Sequence, residues 1–399
     1  MLTEVQMERY SDVLLWALKT ARSGNFKKND IILIRYERGS IELSEIMHAR
    51  FLEMGMNPVL RMGLTSRMER NFFERANNNQ LVFQAPSEKE LYKSINGSIF
   101  LHAPESLTHL SHIDPKRIGK AILARKPLRD ILEKREAEGT FGWTLCMLPT
   151  SELAKHAGLS MKRYSDQIIR ACYLDKDDPV GEWEKIYKDA AAIKKRMNSL
   201  DVEYFHIQSE NINLIIKPGK KRKWIGISGH NIPSFEIFLS PDWRGTEGVY
   251  FANQPSFRSG NYVENVRIEF RRGVAFKVEA AKGKDFISKQ LSIDIGASRV
   301  GEFSLTDKRF SKINKFMAST LYDENYGGNF GNCHLALGSS YLDTYDGDAS
   351  MLKKDGKDKL GFNDSALHWD LVNTEKKTVT ASLTSGEKRV IYEDGIFKC

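Results

Sequence analysis

Residues 31–62 read IILIRYERGSIELSEIMHARFLEMGMNPVLRM, and this stretch decides the first half of the fold. Ile31 to Ile34 is a short β-branched run, the pattern of a strand buried on both faces. Residues 41–54 switch to a helical period and stop near Gly55. Asn57-Pro58 then leads into a second apolar run, Val59 to Met62. Strand, helix and strand in so few residues predict a parallel crossover unit.

The alternation extends outward in both directions. Residues 4–22 place Val5, Tyr10, Val13, Leu14, Ala17 and Leu18 at helical spacing. Further strands are expected at Leu81 to Gln84, Ser98 to His102 and Trp143 to Leu148, with a helix over 115–135. Residues 160–199 read as helices broken at Asp178-Pro179. Beyond about residue 200 strands come in pairs: 211–217 with 223–228, 263–271 with 274–280, and 378–384 with 388–394. Arg272-Gly273 and Ser385-Gly386 mark tight turns. The expectation is an N-terminal α/β domain over 1–200, with a mostly parallel sheet flanked by helices. An α+β domain with antiparallel strands follows over 201–399, and the boundary is fixed only to about 20 residues.

Composition narrows the class. Of 399 residues, 41% are hydrophobic and 28% charged, as in an ordinary globular protein, which excludes a wholly disordered or coiled-coil chain. No apolar run approaches the ~18 residues of a membrane span. The acidic start MLTEVQMERYSD is unlike a secretory signal, so a cytoplasmic protein is expected. Four scattered cysteines, Cys146, Cys172, Cys333 and Cys399, imply no disulfide framework or zinc knuckle. Net charge is +8, but the excess is diffuse apart from Lys217-Pro-Gly-Lys-Lys-Arg-Lys223. Apolar residues on both sides make that run the tip of a hairpin, and no nucleic-acid partner is expected. A polyanion site there is the alternative reading, to be recognised by steep salt dependence.

Phosphate loops, a Walker A motif and a GxSxG elbow are absent. Only two of nine histidines follow residue 231, His334 and His368. On a strand, His368 and Asp370 project from one face, because side chains alternate with period two. Such a pair can be half a metal site, but two residues make a weak motif, and alone it more often reads as a hydrogen-bonded pair without metal. Glu236 and Glu302 are carboxylates in apolar surroundings, and each is either a surface residue on an amphipathic strand or a buried charge that needs a cation. The remaining histidines, His48, His102, His109, His112, His156, His206 and His230, read as surface or structural residues.

Seven motifs occur in order: Asn231-Ile-Pro-Ser-x-Glu236, Gly245-Thr-Glu-Gly248, Gly296-Ala-x-Arg-x-Gly-Glu302, Asp323-Glu-Asn325, Cys333-His-x-Ala-Leu-Gly338, Tyr341 and Asn363-Asp-Ser-x-x-His-x-Asp370. The set resembles the dinuclear metallo-aminopeptidases typified by aminopeptidase T, aminopeptidase S and PepS. Looser landmarks, Trp143, Leu148-Pro149-Thr150, Ala154-Lys155 and Asp178-Pro179 with Trp183, extend the resemblance over nearly the whole chain. It implies a homodimer with two divalent cations (zinc, cobalt or manganese), bound in the C-terminal domain by Glu236, Glu302, Glu324, His334, His368 and Asp370. It also implies hydrolysis of peptides with a free N-terminus, with Glu302 as bridging ligand or base and Tyr341 as a catalytic donor. Four acids and two imidazoles suit those metals better than calcium or magnesium. The chain departs from the family pattern at Phe235, at Asp294-Ile295, and in a longer Gly/Asn-rich spacer, 326–332, expected to form a flexible loop over the site. Rival readings are a dinuclear hydrolase of non-peptide amides or esters, and a scaffold with ligands retained but the cleft blocked.

Overall fold

The structure, a computed structural model, describes residues 2–398. The chain divides into two compact units. The first holds the residues up to Tyr187, with Ile227–Ser234 and Met317–Leu321; the second holds Lys188–Gly226, Phe235–Phe316 and the chain from Tyr322 onward. In chain order the strands are β1 (Ile31–Tyr36), β2 (Asn57–Met62), β3 (Gly97–His102), β4 (Gly142–Met147), β5 (Val202–Gln208), β6 (Asn213–Ile216), β7 (Asn231–Ile232), β8 (Glu236–Leu239), β9 (Glu247–Ala252), β10 (Ser256–Arg258), β11 (Asn261–Val263), β12 (Val266–Arg271), β13 (Val274–Glu279), β14 (Val300–Thr306), β15 (Asn332–Gly338), β16 (His368–Asn373), β17 (Thr378–Leu383), β18 (Lys388–Glu393) and β19 (Ile396–Phe397). Among the described residues, no helix is long and apolar enough to cross a membrane.

In the first unit the strands form one parallel sheet, ordered β2-β1-β3-β4-β7. The β-branched run of β1 lies between β2 and β3, with Ile32, Leu33 and Ile34 buried. Helix Glu4–Thr20 starts at a capping box between Thr3 and Gln6 and buries Tyr10, Val13, Leu14, Ala17 and Leu18. Val5, placed on that stripe from its spacing, is 60% exposed, because it lies in the first turn. The crossover helix Ile41–Glu53 buries Leu43, Met47 and Phe51. It gives way at Gly55, whose φ of 72° suits glycine, before β2 begins. The strand expected at 81–84 is not formed. Asn77 accepts from the backbone of Asn79 and Gln80 and winds 78–81 into a helical turn, which leaves Val82 and Phe83 exposed.

The second unit contains an eight-stranded antiparallel sheet, β13-β12-β9-β6-β5-β17-β18-β19, and a four-stranded one, β16-β15-β14-β8. The hairpins expected at 263–280 and 378–394 are present over 266–279 and 378–393, turning at Arg272-Gly273 and around Gly386. The hairpin around residues 217–223 is not. β6 pairs with β5 and β9 instead, while Ile225 bridges Phe238. Arg222 explains the departure. Its guanidinium donates to the carbonyls of Ser240 and Leu360 and lies 3.4 Å from the Phe362 ring centre. Burial lowers its pKa to about 10, so this member of the basic run serves packing rather than an exposed charged tip.

The four-stranded sheet is buried on both faces. Its odd-numbered residues, Phe303, Leu305, Leu335, Leu337, Trp369 and Leu371, are each no more than 1% exposed. Burying such a side chain contributes about 1.5–3 kcal/mol, so this face fixes the sheet firmly. Tyr250 on β9 reaches the carbonyls of Leu371 (2.6 Å) and Cys333 (3.3 Å), tying the eight-stranded and four-stranded sheets together.

Candidate metal centre

The even-numbered residues of the four-stranded sheet make the opposite face. Cross-strand pairs point the same way, so register alone assembles it. One row runs Asp370–Ala336–Glu302, and the next runs Val372–His334–Ser304–Phe238. His368 pairs with Gly338, and Glu236 with Thr306. Glu302, Ser304 and Thr306 share this face by alternation along β14, and the register shift between Val300 and Glu302 lies beyond them, at Gly301. Small neighbours (Ala336, Ser304, Gly338) leave room between the functional groups.

Five of the six expected ligands converge here. His334 Nε2 lies 3.1 Å from Glu302 Oε1 and 3.3 Å from Glu236 Oε2. His368 Nε2 lies 3.4 Å from Glu302 Oε2 and 3.3 Å from Asp370 Oδ1. The atoms fall into two groups of three, Glu236/Glu302/His334 and Glu302/His368/Asp370, each within 4.8 Å. Glu302 belongs to both and turns one oxygen toward each imidazole. Glu324 is buried but stands outside both groups.

The electrostatics follow from crowding three acids around two imidazoles. Burial opposes charge on His334, but Glu302 and Glu236 outweigh it and raise the pKa to about 9. Burial likewise opposes charge on His368, and Asp370 and Glu302 raise it to about 10. Burial raises the Glu236 carboxyl above its ordinary range; His334 opposes this, while Glu302 and Asp370 add to it. Asp370 is held well below the carboxylate range despite its burial, chiefly by His368, with His334 and Arg258 assisting. A carboxyl pushed toward its neutral form beside imidazoles that retain protons is a pocket short of positive charge. Mixed carboxylate and imidazole donors around that deficit fit a divalent cation of the zinc, cobalt or manganese type.

The residues around the cluster orient it. The Ser339 carbonyl accepts from His368 Nδ1 at 2.8 Å, so Nδ1 keeps a proton and Nε2 faces the carboxylates. Ser304 Oγ donates to Glu236 at 3.3 Å, and Arg258 Nη1 donates to the His368 carbonyl at 2.7 Å. Asn363 donates to the carbonyls of Gly296 and Gly338. Asp294 accepts from Ser365 and Ala366, steering the chain into β16. Sequence reasoning gave none of these supporting residues a role. Asn363 and Asp294 do lie in or beside the quoted motifs, and that position was the one available signal.

Tyr341 packs its ring 4.6 Å from that of His368, and its backbone N–H donates to Ser240. Desolvation raises its phenol well above the ordinary value, followed by the charges of Glu302, Asp370, Glu324 and Glu236. With 37% of the residue exposed, we attribute the rise chiefly to the carboxylates. Phe235 is fully buried, and Asn325 accepts from its N–H. On an extended chain it projects away from Glu236 rather than over it. The 326–332 spacer is closed on itself by Gly331 N–H to the Gly327 carbonyl and Asn332 Nδ2 to the Tyr326 carbonyl, and Lys308 donates to Asn329. These bonds shape the spacer as a hydrogen-bonded turn.

The chain is similar to known proteins over most of its length. The family model described as "Thermophilic metalloprotease (M29)" matches residues 3–397. The chain is 27% identical over 339 residues to aminopeptidase AmpS of Bacillus subtilis, covering 78% of this chain and 79% of that protein. It is 28% identical over 306 residues to aminopeptidase T of Thermus aquaticus, covering 72% of each. The solved structure of wild-type AmpT from Thermus thermophilus superposes with a TM-score of 0.77 at 19% identity, covering 98% of this chain and 99% of that one, which shows a shared fold. With a family match spanning nearly every residue, the chain belongs to the thermophilic metalloprotease (M29) family.

Proposed function

We propose that the chain is a metal-dependent aminopeptidase that hydrolyses the N-terminal peptide bond at a centre of two divalent cations. The observation that carries this reading is Glu302, whose two oxygens face two separate groups of ligand atoms. Glu236 and His334 would hold one cation, His368 and Asp370 the other, and Glu302 both. Glu324 is proposed as a sixth ligand, because its charge acts on Tyr341 together with those of the other carboxylates. The names of the similar proteins, aminopeptidases AmpS and T, support the choice of peptides with a free N-terminus as substrates.

Bound divalent cations supply Lewis-acid polarisation of the scissile carbonyl and acidify the attacking water. The protein supplies orientation and charge. The Ser339 carbonyl fixes the His368 ring, and Ser304 and His334 fix Glu236. The raised pKa keeps the Tyr341 phenol protonated, so it donates a hydrogen bond to the oxyanion as the carbonyl is attacked. Buried Leu335, Leu337 and Trp369 behind the sheet hold these groups to one geometry.

The test is metal content beside turnover. The protein is stripped with chelator, and zinc, cobalt or manganese is restored. Hydrolysis of leucine amide and N-acetyl-leucine amide is followed, with His368→Ala as control. Activity should vanish and return with about two metals per chain, only on the free amine. Turnover indifferent to chelator would sink the metal-dependent reading. Equal rates on both amides would transfer the protein to hydrolases of other amides or esters.

A further inference from the structure

The first unit contains a second reactive constellation that shares no residue with the metal centre. Ser228 Oγ lies 2.7 Å from His230 Nδ1, and His230 Nε2 lies 2.7 Å from Glu136 Oε1. A hydroxyl, an imidazole and a carboxylate in one hydrogen-bonded line are the parts of an activated nucleophile: attacking group, base and orienting acid. Such a set is recognised by geometry and roles, not by order along the chain. No GxSxG elbow marks this serine, and its acid partner comes from elsewhere: Glu136 lies 94 residues away from His230.

Several features hold the line in place. Glu136 Oε2 accepts from Trp143 Nε1 at 3.2 Å, so the carboxylate is fixed at both oxygens. The Trp143 ring lies 4.6 Å from the imidazole. The His230 carbonyl accepts from Leu145 N–H at 2.8 Å, which pins the backbone to β4. Ser228 itself lies between two residues of left-handed backbone, Ile227 (φ 51°) and Gly229 (φ 86°). A β-branched residue in that region is strained, and such strain concentrates at functional sites. At Gly229 a Cβ would stand 2.2 Å from the Ala17 carbonyl oxygen, so only glycine fits beside helix Glu4–Thr20. Ser228 and His230 are half-buried, leaving the pair within reach of a small molecule.

In the tautomer protonated at Nε2, with Glu136 accepting, the ring presents its Nδ1 lone pair to the serine hydroxyl. We propose that Ser228, His230 and Glu136 form a nucleophilic site that takes acyl groups from small activated esters. Ser228 Oγ forms a bond to the ester carbonyl carbon, and its proton passes to His230 Nδ1. Glu136 stabilises the resulting imidazolium through Nε2–H. The C–O bond to the leaving alcohol breaks, and that oxygen takes the proton from Nδ1. Water then attacks the acyl-serine by the same transfers in reverse, releasing the carboxylic acid and restoring the hydroxyl.

The test uses the full-length protein, metal-loaded and chelator-stripped, with a biotinylated fluorophosphonate as probe and p-nitrophenyl acetate as substrate. In both forms the probe should attach to Ser228, identified by peptide mass spectrometry. Ser228→Ala should abolish this labelling. His230→Asn should slow it by about 10²–10⁴-fold, the usual contribution of a positioned base. Glu136→Gln should slow it at least about tenfold. Circular dichroism and thermal unfolding check that each variant folds. Labelling spread over other serines, or an unchanged rate in a folded His230→Asn variant, would overturn the proposal and leave the line a structural hydrogen-bond network.

Discussion

The shared position of Glu302 makes a prediction that separates two linked sites from two independent ones. Glu302→Gln keeps the side chain's shape and one oxygen but removes its charge. In the wild-type geometry one Glu302 oxygen lies 3.1 Å from His334 and the other 3.4 Å from His368, so both groups lose the anionic charge they share, and one of them also exchanges its oxygen donor for an amide nitrogen. Partners that only orient a ligand are worth about 10–100-fold in metal affinity. Loss of a direct ligand is therefore set at about 100-fold or more, which is about 2.8 kcal/mol per site. Glu302→Gln should weaken both cations by that amount. Glu236→Ala and Asp370→Ala should each weaken one and spare the other, because each belongs to a single group. The assay is competition against a chromophoric chelator, with metal counted by plasma mass spectrometry after dialysis. The reasoning fails if Glu302→Gln loses one equivalent and retains the other at wild-type affinity, or if Glu236→Ala depletes both equally.

The imidazoles should make metal binding depend on pH in a definite direction. In the metal-free protein both pKa values stand above the ordinary 6.5, at about 9 and about 10, so both rings carry protons at neutral pH. Binding then releases protons, and affinity climbs between about pH 7 and pH 10; calorimetry in buffers of different ionisation enthalpy should show the release, and an enthalpy independent of buffer would refute it. For the same reason the stability these pairs lend the metal-free protein is complete below pH 6.5 and is lost as pH rises through 9–10, which urea midpoints at several pH values would register. Tyr341→Phe should lower kcat/KM about 10²–10³-fold with metal content unchanged, as for the loss of one oxyanion donor; a change below threefold would remove Tyr341 from the chemistry. Gly338→Ala should cost about 1–3 kcal/mol in thermal unfolding, because φ there is 105° and the added Cβ would meet the Leu367 carbonyl oxygen at 2.1 Å; an unchanged Tm would refute the strain.

How far the sequence could be read depended on how local each determinant is. β1, the crossover helix Ile41–Glu53 and β2 are set by patterns within 32 residues, and each appears where the periodicity places it. His368 and Asp370 share a face because they stand two apart on one strand, which a single segment reveals. Their juxtaposition with Glu302 and His334 depends on the register of three strands, which no single segment displays. Only the ordered motifs connected those residues before the fold was known. The two wrong strands have equally physical causes. At 81–84 a short-range cap from Asn77 overrode β propensity. At 217–228 Arg222 found partners as distant as Leu360, 138 residues on, and the Pro-Gly signal did not become a hairpin. Ser339 was illegible for a further reason: it acts through its carbonyl, which every residue possesses.

The sheet also accounts for how such a charged cluster can exist in a dry place. Isolated carboxylates on a buried face would cost several kcal/mol each. Here the apolar and charged residues alternate along the same strands, so Phe303, Leu305, Leu335 and Leu371 secure β14, β15 and β16 from behind. The cost of placing Glu302 and Asp370 on the other face is met by strands already committed to that position. Ala336 stands between those two acids in register, keeping them apart while leaving space in front. Removing the charge by making these residues apolar would stabilise the free protein and destroy the donor set. The raised pKa of Glu236 is the measure of what the arrangement gives up without a cation, and the raised pKa of both imidazoles marks the protons that a cation must displace on binding.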